Sequence, residues 1–144
     1  MITKPKGCYD VTGDVARKYQ RICEVVSTYA KIYNYKYIRT PLFESTELFK
    51  RGVGDTTDIV QKETYDFTDR GGRDFTLRPE GTAGVVRNFI EDKLYGNQSS
   101  VVKEFYIGTM YRYERPGLGR NREFTQFGVE CLGSDDEMMD AEVI

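Results

Sequence analysis

The sequence predicts an α+β fold, a mainly antiparallel sheet flanked by helices. Three observations carry that expectation. An amphipathic helical segment of about five turns opens the chain. A short hairpin and a second apolar-striped helix lie in the middle, and two long alternating runs from Lys103 to Gly133 flank a turn-forming segment. At 144 residues, 39% hydrophobic and 31% charged, the chain can bury about two-thirds of its extended surface, enough for one core. No repeat or low-complexity linker divides it, so residues 1–144 read as a single domain.

The first helix is expected from an N-cap at Asp14 to about Tyr33. Tyr19, Ile22, Cys23, Val26, Tyr29, Ile32 and Tyr33 recur on it at the helical interval. Asn34 ends it, Tyr35 to Thr40 is a β-rich run stopped by Pro41, and a helical turn from Ser45 to Arg51 leads to Gly52 and Gly54. Thr64 to Thr68 and Arg73 to Leu77 form a hairpin about Asp69-Arg70-Gly71-Gly72. After Pro79 comes a helix with Val85, Val86, Phe89, Ile90 and Leu94 on its apolar face, its first turn weakened by Gly81 and Gly84.

In the long hairpin the turn is Pro116-Gly117-Leu118-Gly119-Arg120-Asn121. Alternation puts Arg112 and Glu114 on one face of the first run, and Phe124, Gln126, Gly128 and Glu130 on one face of the second. The opposite face, with Thr125, Phe127, Val129 and Cys131, is expected to seek the core, leaving Gln126 and Glu130 on a solvated surface or lining a cleft. Gly128 in mid-strand favours the cleft, because such a glycine often marks close approach by a ligand or another backbone.

Composition excludes several chemistries. The chain contains no histidine, which removes Ser-His-Asp and Cys-His catalysis, and its cysteines, Cys8, Cys23 and Cys131, have neither disulfide-framework nor zinc-site spacing. No metal site of the chain's own is therefore expected. The G-x-G from Gly117 to Gly119 joins strand to strand, so the dinucleotide reading fails there on context. A net charge of -2 gives no bulk attraction for a polyanion, which weighs against a free-standing RNA-binding module. The amino terminus lacks the apolar run of a signal peptide and no stretch is long enough to cross a membrane, so a cytoplasmic location is expected.

The run Phe105-Tyr106-Ile107-Gly108-Thr109-Met110-Tyr111-Arg112-Tyr113-Glu114-Arg115-Pro116, followed by Gly119-Arg120-Asn121-Arg122-Glu123-Phe124-Thr125-Gln126-Phe127-Gly128-Val129-Glu130, resembles motif 2 of class II aminoacyl-tRNA synthetases in its histidyl form. Leu77-Arg78-Pro79-Glu80-Gly81-Thr82 resembles that family's substrate-amine loop. The first helix with Tyr35 to Pro41, about residues 14–41, resembles motif 1, and Lys6-Gly7-Cys8-Tyr9-Asp10 the amino-terminal segment. The resemblance implies ATP-dependent activation of histidine and its transfer to tRNA(His), with Mg2+ accompanying ATP.

It also implies residue roles. Arg112 is the catalytic arginine gripping a phosphate oxygen and the incoming carboxylate. Glu114 meets the adenine, Arg120 reaches the distal phosphates, and Phe124 stacks on adenine. Glu80, Thr82 and Gln126 surround the histidine amine, and Glu130 faces the imidazole. A plainer reading stands beside four of them: Arg112 as a surface ion pair with Glu114 or Glu130, Phe124 as core, Arg120 as a solubilising charge, Glu80 as a helix-start acid.

Motif 1 implies a homodimer, with Tyr29, Tyr33, Tyr35 and Tyr37 suited to the interface. Asp135, Asp136 and Glu137 open a further helix, yet the chain stops at Ile144. The resemblance thus implies an interrupted domain, with a second histidine segment, a motif 3 arginine and an anticodon-binding domain to follow, and little activity for this segment alone. A regulatory subunit of ATP phosphoribosyltransferase, which resembles the same catalytic domain, is the alternative.

Overall fold

A computed structural model describes residues 1–53, 63–96 and 101–144. Helix α1 spans Gly13–Ile32, strand β1 Lys36–Tyr37, β2 Phe43–Ser45, helix α2 Thr46–Val53, β3 Tyr65–Thr68, β4 Asp74–Leu77 and helix α3 Thr82–Glu91. A single 3-10 turn at Leu94–Gly96 precedes β5, Val102–Tyr111, then β6, Glu123–Leu132, and helix α4, Glu137–Val143. Two three-stranded sheets result, ordered β1-β5-β6 and β2-β4-β3. Among the described residues only the β1–β5 pairing is parallel, so the mainly antiparallel expectation holds.

The long hairpin forms as expected: β5 and β6 pair over their whole length, with Tyr106 opposite Gly128 and Glu104 opposite Glu130. Its turn closes at a bridge between Gly117 and Arg120. The amino-terminal segment straps the base of that turn. The Gly7 carbonyl accepts the backbone N–H groups of Arg122 (2.9 Å) and Glu123 (3.3 Å). Gly7 has φ of +83°, and a Cβ there would lie 2.9 Å from Arg122 Cγ, so only glycine fits without strain.

Several boundaries differ from expectation. The N-cap of α1 is Thr12, without a side-chain bond, because Gly13 at φ +58° turns the chain into the helix two residues earlier than expected. Asp14 falls in the first turn, where it pairs with Arg17 and its charge suits the helix dipole. Asn34 does end the helix, at φ +63°. Ser45 belongs to β2 rather than to α2, and Gly54 lies outside the described residues. The β-rich run shrinks to Lys36–Tyr37, extended by one bond from Ile38 N to the Phe105 carbonyl. The buried Arg78 guanidinium then takes the Thr40 carbonyl (2.9 Å) and hydroxyl (3.1 Å), drawing Thr40 out of the ladder.

The core lies on both faces of β5–β6, which corrects the simple two-sided expectation. On the odd-numbered face of β6 Val129 packs against the buried trio Ala30, Tyr35 and Phe105, while Phe127, its ring centre 6.5 Å from that of Phe105, is 43% exposed. On the even-numbered face Phe124 and Leu132 pack with Val85, Tyr106 and Met110. The reason is α3, whose Val85 is fully buried and which lies over the even face. Ile90 on the same helix is exposed, and Leu94 belongs to the 3-10 turn beyond it. Gly84, buried in α3, lets the helix approach Thr40, whose Cβ would stand 3.1 Å from an added methyl group.

Helix α1 buries only Ala30, and Val15, Ile22, Tyr29, Ile32 and Tyr33 are all exposed. Tyr37 is exposed as well, but Tyr35 is 5% exposed and belongs to the core, so it leaves the set of interface tyrosines. No helix among the described residues is long and apolar enough to cross a membrane.

Candidate functional site

The even face of β6, the start of α3 and the hairpin turn converge. Arg112 follows the last residue of β5, its N–H still bonded to the Arg122 carbonyl at 2.9 Å. Strand alternation does not carry on to Glu114, because Glu114 N turns back to the Arg112 carbonyl at 2.8 Å. The two side chains nevertheless meet. Arg112 Nη1 lies 3.9 Å from Glu114 Oε1, and Arg120 Nε lies 4.0 Å from Glu114 Oε2. Both separations are at the outer limit of an ion pair, whose worth at an exposed position is small.

Arg112 is anchored otherwise. Its Nε donates to the Pro79 carbonyl at 2.9 Å, and its guanidinium carbon stands 5.1 Å from the centre of the Phe124 ring. A planar guanidinium held by one edge over an aromatic face keeps its remaining N–H groups free for an anion. No described bond joins it to Glu130, so that surface-pair reading loses its partner. Arg112, Glu114, Arg120 and Phe124, with Glu63, Gly119, Asn121 and Thr125, line a cavity of about 600 Å³. Phe124 serves the core and the cavity at once.

The second group of expected residues gathers at the amino end of α3. Glu80 receives the N–H of Thr82 at Oε2 (2.7 Å) and that of Ala83 at Oε1 (2.9 Å), so the plainer helix-start reading is borne out in geometry. Each of its oxygens keeps a further lone pair for a cation. The Thr82 hydroxyl donates to Glu130 Oε1 at 2.7 Å. Glu80 and Thr82 also line a second cavity of about 620 Å³ with Ser45, Glu47, Leu48, Arg51, Ala83 and Val86. Gln126, which shares the strand face of Phe124 and Glu130, has a buried Oε1 with no donor, an acceptor suited to an incoming N–H.

Burial pushes the Glu130 carboxyl above its usual range, against the lowering effect of the Thr82 hydroxyl, with Glu80 adding to the rise. Burial likewise raises Glu104, which Lys36 only partly offsets, and Glu104 Oε2 has no donor. Burial lowers Arg78, though a guanidinium stays charged in any event. Among the described residues no group of three His, Cys, Asp or Glu side chains could hold a metal by itself.

Reading the sequence missed the Pro79 carbonyl that anchors Arg112, the Arg78 clamp and Tyr106. The signal for Tyr106 was present in Gly81 and Gly128, but the partner implied at Gly128 is wrong: a tyrosine ring, not a ligand or backbone, makes the close approach.

Comparison with known proteins defines the class. The computed structure superposes on the crystal structure of apo S. aureus histidyl-tRNA synthetase with a TM-score of 0.82 and 43% identity, over 99% of this chain and 32% of that one. The fold is thus that of a class II aminoacyl-tRNA synthetase core. A family model described as histidyl-tRNA synthetase matches residues 7–144, and the chain belongs to that family. The histidine–tRNA ligase of Anoxybacillus flavithermus is 60% identical over 140 residues, covering 97% of this chain and 33% of the relative. That of Halothermothrix orenii is 57% identical over 143 residues, covering 99% and 34%. The chain therefore spans about a third of the length of the relatives it matches. A Bacillus halodurans structure described as an ATP phosphoribosyltransferase regulatory subunit/histidyl-tRNA synthetase also matches, with a TM-score of 0.82 and 25% identity over 99% of this chain and 35% of that one.

Proposed function

We propose that this segment supplies the ATP- and histidine-binding front of a ligase that activates histidine to histidyl-adenylate and transfers it to tRNA(His). The observation that carries this reading is the adjacency of two sites. A cavity with two arginines, two carboxylates and an aromatic ring is joined, through the bond from Arg112 to the carbonyl of Pro79 beside Glu80, to a half-buried carboxylate bonded to Thr82. In the first step a carboxylate oxygen of histidine attacks the α-phosphorus of ATP. The bond from that phosphorus to the bridging oxygen breaks, and pyrophosphate leaves.

Arg112, held by Pro79, meets the negative charge gathering on the α-phosphate and aligns the attacking carboxylate. Arg120 reaches the outer phosphates from the turn, and Phe124 offers its ring to the adenine beside Glu114. Glu80, Thr82 and Gln126 accept from the histidine ammonium, and Glu130 accepts from an imidazole N–H. Mg2+ would come with ATP as part of the substrate, held by phosphate oxygens and water, and would offset part of the phosphate charge. Residues 14–41, 77–82 and 103–133 take the parts of motif 1, amine loop and motif 2 in one partial catalytic domain over residues 1–144. The protein works in the cytoplasm as a homodimer. The uncovered apolar stripe of α1 supports the dimer, since an exposed face of that kind ordinarily marks an interface.

Histidine-dependent ATP–pyrophosphate exchange by the full-length protein tests the reading. Exchange with histidine and with no other amino acid supports it. The Bacillus halodurans match favours one alternative, a regulatory subunit of ATP phosphoribosyltransferase. Histidine binding without exchange, together with altered activity of an added ATP phosphoribosyltransferase, would establish that alternative instead.

A further inference from the structure

The hairpin that carries the nucleotide cavity is opened at one rung, and a side chain outside the expected binding set braces the opening. The ladder runs regularly as far as Tyr111 opposite Glu123, and the next pair is Arg112 with Arg122. In an antiparallel pair of this kind two residues exchange both of their main-chain bonds. Here one of the two is made, from Arg112 N–H to the Arg122 carbonyl at 2.9 Å. The groups of the other are each taken elsewhere. Arg122 N–H donates to the Gly7 carbonyl at 2.9 Å, and the Arg112 carbonyl accepts Glu114 N–H at 2.8 Å in a three-residue γ-turn about Tyr113.

Past that rung the chain has left the ladder, and a side chain takes over from the main chain. Arg122 Nε donates to the Glu114 carbonyl at 3.1 Å, and its guanidinium carbon stands 4.2 Å from the centre of the Tyr113 ring. Tyr113 is itself located, with its N–H on the Glu63 carbonyl at 2.7 Å and its ring edge-on to Tyr65 at 5.5 Å between centres. A planar guanidinium stacked so closely on a ring can turn little, so its Nε–H stays aimed at one acceptor. Gly7 sets the limit on the other side, since an added Cβ there would meet Arg122 Cγ at 2.9 Å. Arg122 is therefore confined by Gly7, Tyr113 and Glu114 together.

We infer that Arg122 is a positioning residue for the nucleotide half of the site: stacked on Tyr113 and backed by Gly7, it fixes the main chain at Glu114 where the two arms of the hairpin part, and so sets where the Glu114 carboxylate stands relative to Arg112 and Arg120. The cavity draws Arg112 and Glu114 from one arm and Gly119, Arg120, Asn121 and Phe124 from the other. Arg122 belongs to the second arm and bonds to the first, so it ties the two walls. The inference rests on the ligase reading and deepens it. Two consequences separate it from a direct grip on phosphate. A lysine at 122 keeps the charge but lacks the planar fork, so it does not serve, and loss of the Tyr113 ring, which removes no charge, produces the same defect.

The test uses the full-length protein, with histidine-dependent pyrophosphate exchange measured against ATP and histidine separately. For Arg122→Lys and for Tyr113→Ala the expected result is a KM for ATP raised about tenfold, the scale of one hydrogen bond from a charged donor. The KM for histidine stays unchanged. Tyr113→Phe, which keeps the ring, keeps the parental KM for ATP. The double variant of Arg122→Lys with Tyr113→Ala is no worse than either alone, because both remove the same brace. The ratio of variant to parental KM for ATP is the same at low and high salt, since what is lost is a position and not a screened charge. Tyr113 is 53% exposed, so its truncation opens no core.

Four results would overturn the inference while leaving the ligase reading intact. A parental KM for ATP in Arg122→Lys or Tyr113→Ala would mean that the stacked guanidinium positions nothing. Values for ATP and histidine that rise together would mean a general loosening of the fold. Additive defects in the double variant would give the two residues independent roles, and a defect that fades as salt is added would make Arg122 a direct phosphate contact. A parent that exchanges pyrophosphate with no amino acid would instead overturn the ligase reading, and this inference with it.

Discussion

The two halves of the candidate site are built with different stiffness. Around the start of α3 almost every group is already held: Glu80 by two backbone N–H groups, Glu130 by Thr82, and Tyr106 by two glycines. At the hairpin turn only Arg112 is fixed, through Pro79. Arg120 has a side chain 76% exposed, and both arginines stand about as far from Glu114 as an ion pair allows. The contrast teaches that the amino-acid half is held by its own hydrogen bonds before any ligand arrives, whereas in the phosphate half Arg112 is held and Arg120 stands exposed with one long ion-pair contact. Preorganised contacts act on selectivity and on the transition state, while contacts ordered at binding lose part of their energy to that ordering.

Substitutions can break or sharpen this contrast. The largest effect is expected at the one fixed group of the phosphate half. In the full-length protein Arg112→Ala should slow histidine-dependent pyrophosphate exchange by about a hundredfold or more, the scale for losing one preorganised donor. Exchange at the parental rate would return Arg112 to the role of a surface charge. Glu130→Ala should come next, raising the KM for histidine by about tenfold or more, with the ATP requirement little changed. Measuring both constants in one exchange series checks that the two defects differ in kind. Arg120→Ala should be milder, a several-fold rise in the KM for ATP that shrinks as salt is added, since its charge is exposed and screened. A loss as large as that of Arg112 would mean that the turn is as preorganised as the pocket.

The smallest effect concerns Glu104, which faces Glu130 across the ladder and has an oxygen without a donor. Its folded carboxyl is raised by burial, so the ionised form is the one that folding disfavours. Its favourable contribution is fully present below the ordinary carboxylate range and is lost as pH rises through the raised folded value. Glu104→Gln should therefore raise the melting temperature by a few degrees, about 2–4 °C, at neutral pH and change it little near pH 3. Thermal melts at the two pH values check the sign.

What was legible in the sequence follows from what periodicity encodes. The β5–β6 hairpin and its turn, the hairpin of β3 and β4, and the helices at α1 and α3 could be read because alternation and the helical interval are local properties. Which face is covered is not local. Phe127 and Phe124 look equivalent in an alternating run, and only the placement of α3 decides that Phe124 is packed and Phe127 left 43% exposed. The residues of the site were legible from resemblance, as types suited to phosphate, adenine, amine and imidazole. Their supports were not, because the Pro79 carbonyl is a backbone atom carrying no sequence signature, and Tyr106 reads as one more aromatic in a strand. Tyr35 was misread for a similar reason, since an interface tyrosine and a core tyrosine have the same periodicity.

The strap at Gly7 has a consequence for how the chain is made. Synthesis delivers Gly7 well before the hairpin, and its carbonyl has no partner until Arg122 and Glu123 exist. Strand β1 likewise waits for β5, the neighbour to which it is parallel. The β2-β4-β3 sheet, in contrast, joins strands close together in sequence and can assemble while the ribosome is still working. The segment at Gly7 therefore emerges before the hairpin it straps and is among the last parts of residues 1–144 to find its place. A bulky tag fused ahead of Gly7 would burden the slow, long-range step, whereas the local sheet would form in the same time with or without it.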